Sequence, residues 1–216
     1  MKTNYILIDF ENIQPKNLEL LKGGPFRIKV FIGHNQTKLP LEVALSLQPF
    51  GSDAEYIRIE GSGPNALDFH IAFYVGQLAA EDPNGYFHII SKDTGFDPLI
   101  KHLKSIKIFA QREKDIADIP LIKISNTNTV EEKIDAVVDN LIKRKATKPR
   151  TYKTLLGTLK SLFINKLSDN ELSNLMDELV KRKLVIITED KVNYNLPNLQ
   201  IPTIPPAETS LNVRRD

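Results

Sequence analysis

Hydrophobic and polar positions follow two regimes along this chain, and the change falls near residue 126. Before it, short apolar runs of strand type stand at 5–8, 27–32, 55–60, 86–90 and 106–110. Between them apolar residues recur every three or four positions, around 18–21, over 41–47 and 65–80, and from Asp97 through His102. Gly23-Gly24-Pro25, Pro49-Phe50-Gly51, Gly61-Ser62-Gly63-Pro64 and Gly85 punctuate the changes. Strands alternating with helices over this length predict an α/β domain, a doubly wound and mostly parallel sheet. The run 121–124 reads as a further edge strand.

After residue 126 three helical segments follow one another, at 130–145, 152–163 and 170–183. An apolar run at 184–188, a turn at 189–191 and the alternation of Val192, Tyr194 and Leu196 with polar residues then predict a hairpin. Three helices and a two-stranded hairpin make a smaller winged-helix-like module. The expected division is therefore 1–126, 127–197 and a tail, 198–216. Pro202, Pro205, Pro206 and the polar end make the tail a disordered segment on composition.

Composition narrows the partners. The 216 residues are 41% hydrophobic, enough for a sizeable core, and the formal charge is only +2, so any basic surface must be local. The absence of cysteine excludes disulfides and thiolate metal sites and fits a reducing compartment. His34, His70, His88 and His102 lack zinc-ligand spacing. The first apolar run is far too short for a signal peptide or a membrane span. The expectation is a soluble, cytoplasmic protein with no membrane partner.

The first run, Tyr5-Ile-Leu-Ile, leads straight into Asp9, with Glu11 and Asn12 just beyond. Such a run reads as a strand buried on both faces. Asp9 then falls at its carboxyl end, the edge of an open α/β sheet where ligands bind. A lone acid there also serves as a turn cap. Asp68 sits in the first turn of the 65–80 helix, where a carboxylate suits the helix dipole. One, two and three turns further on stand Ala72, Val75 and Ala79, so its face turns inward. Asp93 and Asp97 flank the turn after the fourth strand; Asp97 before Pro98 reads as an N-cap, whereas Asp93 has no such local reason.

Together Asp9, Asp68, Asp93 and Asp97 converge on one sheet edge, with Glu11 nearby. Two carboxylates ~5 Å apart repel by about 3 kcal/mol at an effective dielectric of 20. Such a cluster protonates, splays or binds a cation, and oxygen ligands alone select Mg²⁺ or Mn²⁺. That chemistry is phosphodiester hydrolysis.

The ordered set Ile8-Asp9-Phe10-Glu11-Asn12, Asn65-Ala66-Leu67-Asp68 and Ile90-Ser91-Lys92-Asp93-Thr94-Gly95-Phe96-Asp97 resembles PIN-like nucleases, especially the NYN branch, over about residues 4–125. The resemblance implies a metal-dependent endoribonuclease with Asp9, Asp68 and Asp93 as ligands of Mg²⁺ or Mn²⁺. Asp97 completes the group directly or through water, and Asn12 and Ser91 orient phosphate or water. Many relatives carry a glycine where this chain has Phe10 or Glu11, which leaves Glu11 as ligand, neighbour or bystander. The fold often pairs to build a substrate groove, so a homo-oligomer is expected too.

Outside the acids, Lys143, Arg144, Lys145, Lys148, Arg150, Lys153 and Lys160 occur without one intervening carboxylate. This run is either a solvated surface or a grip on RNA phosphates, with Lys145, Lys148, Arg150 and Lys153 as the candidate contacts. The last helix of the module carries Glu171, Asp177 and Glu178, which oppose a DNA groove, so RNA or a protein partner suits it better. His70 reads as a packing residue, and Phe73 and Tyr74 as core or helix surface. Two rival readings remain: a PIN-like module that holds RNA or protein without cutting, and a dehalogenase-like phosphatase. The second requires Asp-x-Asp and meets Glu11 instead.

Overall fold

The structure, a computed structural model, describes residues 2–197; the tail expected at 198–216 lies outside the described residues. Strand β1 (Asn4–Asp9) buries Ile6, Leu7 and Ile8 completely, which only a central strand covered on both faces does. It is followed by β2 (Phe26–Ile32), α1 (Leu41–Leu47), β3 (Ala54–Arg58), α2 (Ala66–Glu81), β4 (Tyr86–Ile90), α3 (Phe96–Ser105) and β5 (Phe109–Glu113). The strands lie in the order β3-β2-β1-β4-β5, and every pairing is parallel.

Period-two alternation sends the strand side chains to two cores. Ile6, Ile8, Ile28 and Val30 pack against the Leu18–Leu21 turn, α1 and Ile116, Ile119 and Ile122. On the other face Leu7, Phe31, Phe87 and Ile89 meet Leu67, Ile71 and Val75 of α2 and Phe96, Ile100 and Leu103 of α3. Each such side chain contributes roughly 1.5–3 kcal/mol on burial. One polar group interrupts the first layer. His88 Nδ1 pairs with Glu113 Oε1 at 2.8 Å and Nε2 with Asn4 Oδ1 at 3.1 Å, tying β1, β4 and β5 together beneath the surface.

The sequence pattern misplaces two elements. The fifth strand begins at Phe109 rather than Ile106, because α3 runs to Ser105 and Lys107 turns the chain with φ 67 before pairing starts. The run expected as an edge strand at 121–124 is instead α4 (Pro120–Ser125), with Pro120 at its first position. A short apolar run has no periodicity to separate strand from buried helix. Here the helix turns Ile122 into the sheet core and Ile124 to the opposite side.

The remaining helices are α5 (Val130–Lys143), α6 (Tyr152–Leu162) and α7 (Asp169–Lys181), followed by the antiparallel hairpin β6 (Val185–Thr188) and β7 (Lys191–Tyr194). All three helices start with a capping box, Thr129/Glu132, Thr151/Thr154 and Ser168/Glu171. Each capping residue is worth about 1 kcal/mol. Ile134, Val137, Leu155, Leu159, Leu172 and Leu179 form a third core. The boundary expected at 126 is bridged by apolar contacts: Ile124 joins this core, and Ile164, beyond α6, enters the first one. Ile164 reaches it beside Gly24, just ahead of β2. The helical module is therefore seated under the amino ends of the strands.

Candidate metal centre at the carboxyl edge of the sheet

The strand order reverses between β1 and β4, so these strands diverge to crossovers on opposite faces, and the crevice beyond their carboxyl ends is the switch point. Asp9 is the last residue of β1 and is 2% exposed. Its Oδ2 accepts from the buried Ser91 hydroxyl at 2.7 Å, and its Oδ1 from the Asn12 backbone N–H at 3.1 Å. Ser91, one residue past β4, also accepts from the Asp93 backbone N–H at 3.0 Å. One hydroxyl thus ties the carboxylate that ends β1 to the backbone of the turn that carries Asp93 beyond β4. Asp93 Oδ1 in turn accepts from Gly95 N–H at 2.7 Å, closing the turn into α3.

Asp68 comes from the opposite wall. Asn65, in the left-handed region with φ 59, opens α2 and puts Asp68 in its first turn. The Asp68 carboxyl is raised above its ordinary pKa by burial first and then by the charges of Asp9, Asp93 and Glu11. Burial also raises Asp9, and the hydrogen bonds from Ser91 and Asn12 hold it down in part. The acids therefore share one electrostatic environment. Among the described residues, however, no three His, Cys, Asp or Glu side chains stand close enough together to hold an ion.

Asp97 is engaged elsewhere. Helix α3 starts at Phe96 with Gly95 at its N-cap, so Asp97 is not the cap that Pro98 implied. Both its oxygens take the guanidinium of Arg112, at 2.8 Å from Nε and 3.1 Å from Nη2, which holds Asp97 below the usual carboxylate range. Arg112 also donates to the Ser91 carbonyl at 3.2 Å, buttressing the turn from below. Sequence reasoning passed over Arg112 because a fifth strand ending at 110 left it outside the sheet. Gly33 was missed too: a Cβ there would collide with the Glu11 carboxylate, so Glu11 lies across the end of β2.

The basic run is at the other end of the molecule. A groove of about 1050 Å³ opens between the amino edge of the sheet and the module, lined by Lys2, Thr3, Asp82, Asn84, Lys143 and Arg144 among others. Lys145, Lys148, Arg150 and Lys153 are not part of that lining, and Lys160 pairs with Asp169 at 3.3 Å. β1 separates this groove from Asp9 by its six residues, on the order of 20 Å.

Compared with known families, residues 3–113 match the PIN domain. The chain belongs to the PIN domain family. The match runs from the residue before β1 to the last residue of β5, so it takes in the whole sheet and all four acids. PIN domains are commonly metal-dependent nucleases and commonly bind RNA. No curated protein and no solved structure matches the chain.

In this PIN domain the oxygen-only chemistry of Asp9, Asp68 and Asp93 suits a hard divalent cation, but among the described residues the three do not converge as a group that holds one. Burial disfavours the charged form of Asp9, and burial with the neighbouring acids that of Asp68, a cost that a positive ion would offset. Asp97 does not fit as a direct ligand, since Arg112 already occupies both oxygens.

Proposed function

We propose that the protein is a divalent-metal-dependent ribonuclease of the NYN type, cutting RNA internally, with Asp9, Asp68 and Asp93 holding Mg²⁺ or Mn²⁺. The observation that carries this reading is the buried Asp9, fixed by Ser91 at the switch point of a PIN domain and sharing its charge environment with Asp68 and Asp93. A bound ion supplies neutralisation of the phosphate and a water of lowered pKa. The chain's own groups do the positioning. Ser91 spaces Asp9 from Asp93, the Asn12 amide orients Asp9, and Arg112 withdraws the Asp97 charge and anchors the turn. The C-terminal module reads as winged-helix-like and binds RNA or a protein partner, with Lys143 and Arg144 in its groove.

One observation favours a second reading. The Asp97–Arg112 pair takes one of the four acids out of the cluster, which suits a PIN domain that binds RNA or protein without cutting. Incubation of unstructured RNA with Mn²⁺, Mg²⁺ or EDTA separates the two. Metal-dependent internal cleavage, lost in EDTA, is expected. Binding without cleavage in either metal refutes the nuclease reading.

A further inference from the structure

His88 and Glu113 are 2% and 5% exposed and lie on the face of the sheet opposite Asp9, where the proposed chemistry makes no use of them. The protons of this pair follow from its partners. Asn4 Nδ2 donates to the Lys2 carbonyl at 3.2 Å, so Asn4 Oδ1 is the atom turned to His88 Nε2. Nε2 therefore donates, and the contact between Nδ1 and Glu113 Oε1 holds one further proton. The pair is neutral as a whole on whichever atom that proton sits. Among the described residues Glu113 Oε2 has no partner, although it is buried. Buried polar pairs of this kind are poor sources of stability, and apolar residues of similar volume fill a core as well. Their best-attested use is to fix register.

Strand β5 has little else with which to set its register. Register follows from the hydrophobic pattern of a strand, and a strand polar on both sides is free to slip. On the first-core face β5 presents Phe109, Gln111 and Glu113, of which Phe109 is 48% exposed. On the other face it presents Ala110 and Arg112, and only the alanine is buried. β5 also stands at the end of the sheet, with β4 as its neighbour. Glu113 is the partner of Ile90 in the ladder, and its side chain reaches back to His88, which Asn4 ties to β1. A slip of β5 by one side-chain period would take the carboxyl from His88 and carry Arg112 away from Asp97.

That register reaches the acid edge through Ser91. The Glu113 carbonyl accepts from the Ser91 N–H at 3.0 Å, and Arg112 Nη1 donates to the Ser91 carbonyl at 3.2 Å. Consecutive β5 residues thus hold both backbone groups of Ser91, whose hydroxyl meets the Asp9 carboxylate and the Asp93 amide. We infer that His88 and Glu113 are positioning residues, a polar lock that sets the register of β5 and through it the place of Ser91 beside Asp9 and the Asp93 turn. The lock belongs to the fold, and its bearing on cleavage rests on the nuclease reading.

Amide hydrogen exchange of the full chain, followed by NMR in EDTA, tests the lock without reference to activity. In the double variant His88→Leu with Glu113→Leu, the Ser91 and Asp93 amides are expected to exchange at least roughly tenfold faster, while those of Ile6 and Leu7 on β1 keep the wild-type rate. Glu113→Gln is expected to keep wild-type protection, because its amide donates to His88 Nδ1 and the register holds without a carboxyl. Glu113→Asp, shorter by one methylene, should show the same selective loss and serves if the double variant does not fold. Unchanged protection in these variants shows that register needs no lock, and an equal loss across β1 makes the pair merely structural; either overturns the proposal. So does a loss in Glu113→Gln as large as in the apolar variant. On the nuclease reading, the apolar variant should also lower kcat by about tenfold or more at unchanged KM. An unchanged kcat beside faster exchange overturns the link to the acid edge. A wild type that does not cut refutes the nuclease reading instead, and the exchange rates then judge the lock.

Discussion

Replacing Ser91 by alanine tests the architecture of the acid edge without touching an acid. Ser91 is fully buried and holds Asp9 Oδ2 at 2.7 Å while accepting from the Asp93 amide at 3.0 Å. A hydrogen bond to a charged group is worth about 1.5–3 kcal/mol and a neutral one about 0.5–1.5. Asp9 titrates above its ordinary value of 3.8, so the native state keeps this proton to higher pH than the unfolded chain does. Its stabilising contribution is thus fully present below the unfolded value and is lost as pH rises through the folded one. The Ser91 hydroxyl lowers the folded value, and Ser91→Ala raises it further, at about 1.4 kcal/mol of added cost at neutral pH per unit. We expect Ser91→Ala to cost about 2–3 kcal/mol at pH 7.5 and about 1 kcal/mol near pH 4. In thermal midpoint this is roughly 4–12 °C against 2–4 °C. Equal losses at the two pH values would refute the idea that Ser91 stabilises an ionised, buried Asp9.

The other expectations concern the same edge and the module. Asp93→Asn should abolish metal-dependent RNA cleavage while the thermal midpoint stays at or above that of the wild type; full activity sinks the assignment. Asp68→Asn removes a carboxyl whose pKa is raised by burial and by Asp9, Asp93 and Glu11, so it should raise the midpoint at pH 7.5, with the gain fading as pH falls towards the ordinary value of 3.8. Melting curves over that range decide it. Mn²⁺ at a hundred times its Kd should add about 2.7 kcal/mol to stability, and Asp9→Asn with Asp93→Asn should erase the shift; no shift in either protein speaks against a metal centre. Replacing Lys145, Lys148, Arg150 and Lys153 with Gln should flatten the salt dependence of RNA binding by about 0.7 for each phosphate no longer neutralised. An unchanged slope makes those side chains a solvated surface.

The acids on strand and helix ends were legible because sequence order and apolar patterning place them. A run as apolar as Tyr5-Ile-Leu-Ile is stable only as a covered strand, which puts Asp9 at its carboxyl end. An inward face at Ala72, Val75 and Ala79 likewise turns Asp68 towards the sheet. The helices of the module announced themselves by period, and the structure adds the caps, such as Thr129 and Ser168, that start them. Local pattern failed at 106–110 and 121–124, where one turn at Lys107 and one proline at 120 set the outcome and a short apolar run fits either period.

Tertiary structure alone decided the rest, because those features depend on pairs remote in sequence. The Asp97 carboxylate is free or taken according to where β5 places Arg112, fifteen positions on. The basic run lies at the opposite end of the sheet from the acids because Ile164 plugs the first core beside Gly24. Phe73, read as core or helix surface, stands in solvent because the sheet covers only one side of α2. Periodicity tells which residues share a face. Which face finds a cover depends on how much apolar surface the other elements have left to offer.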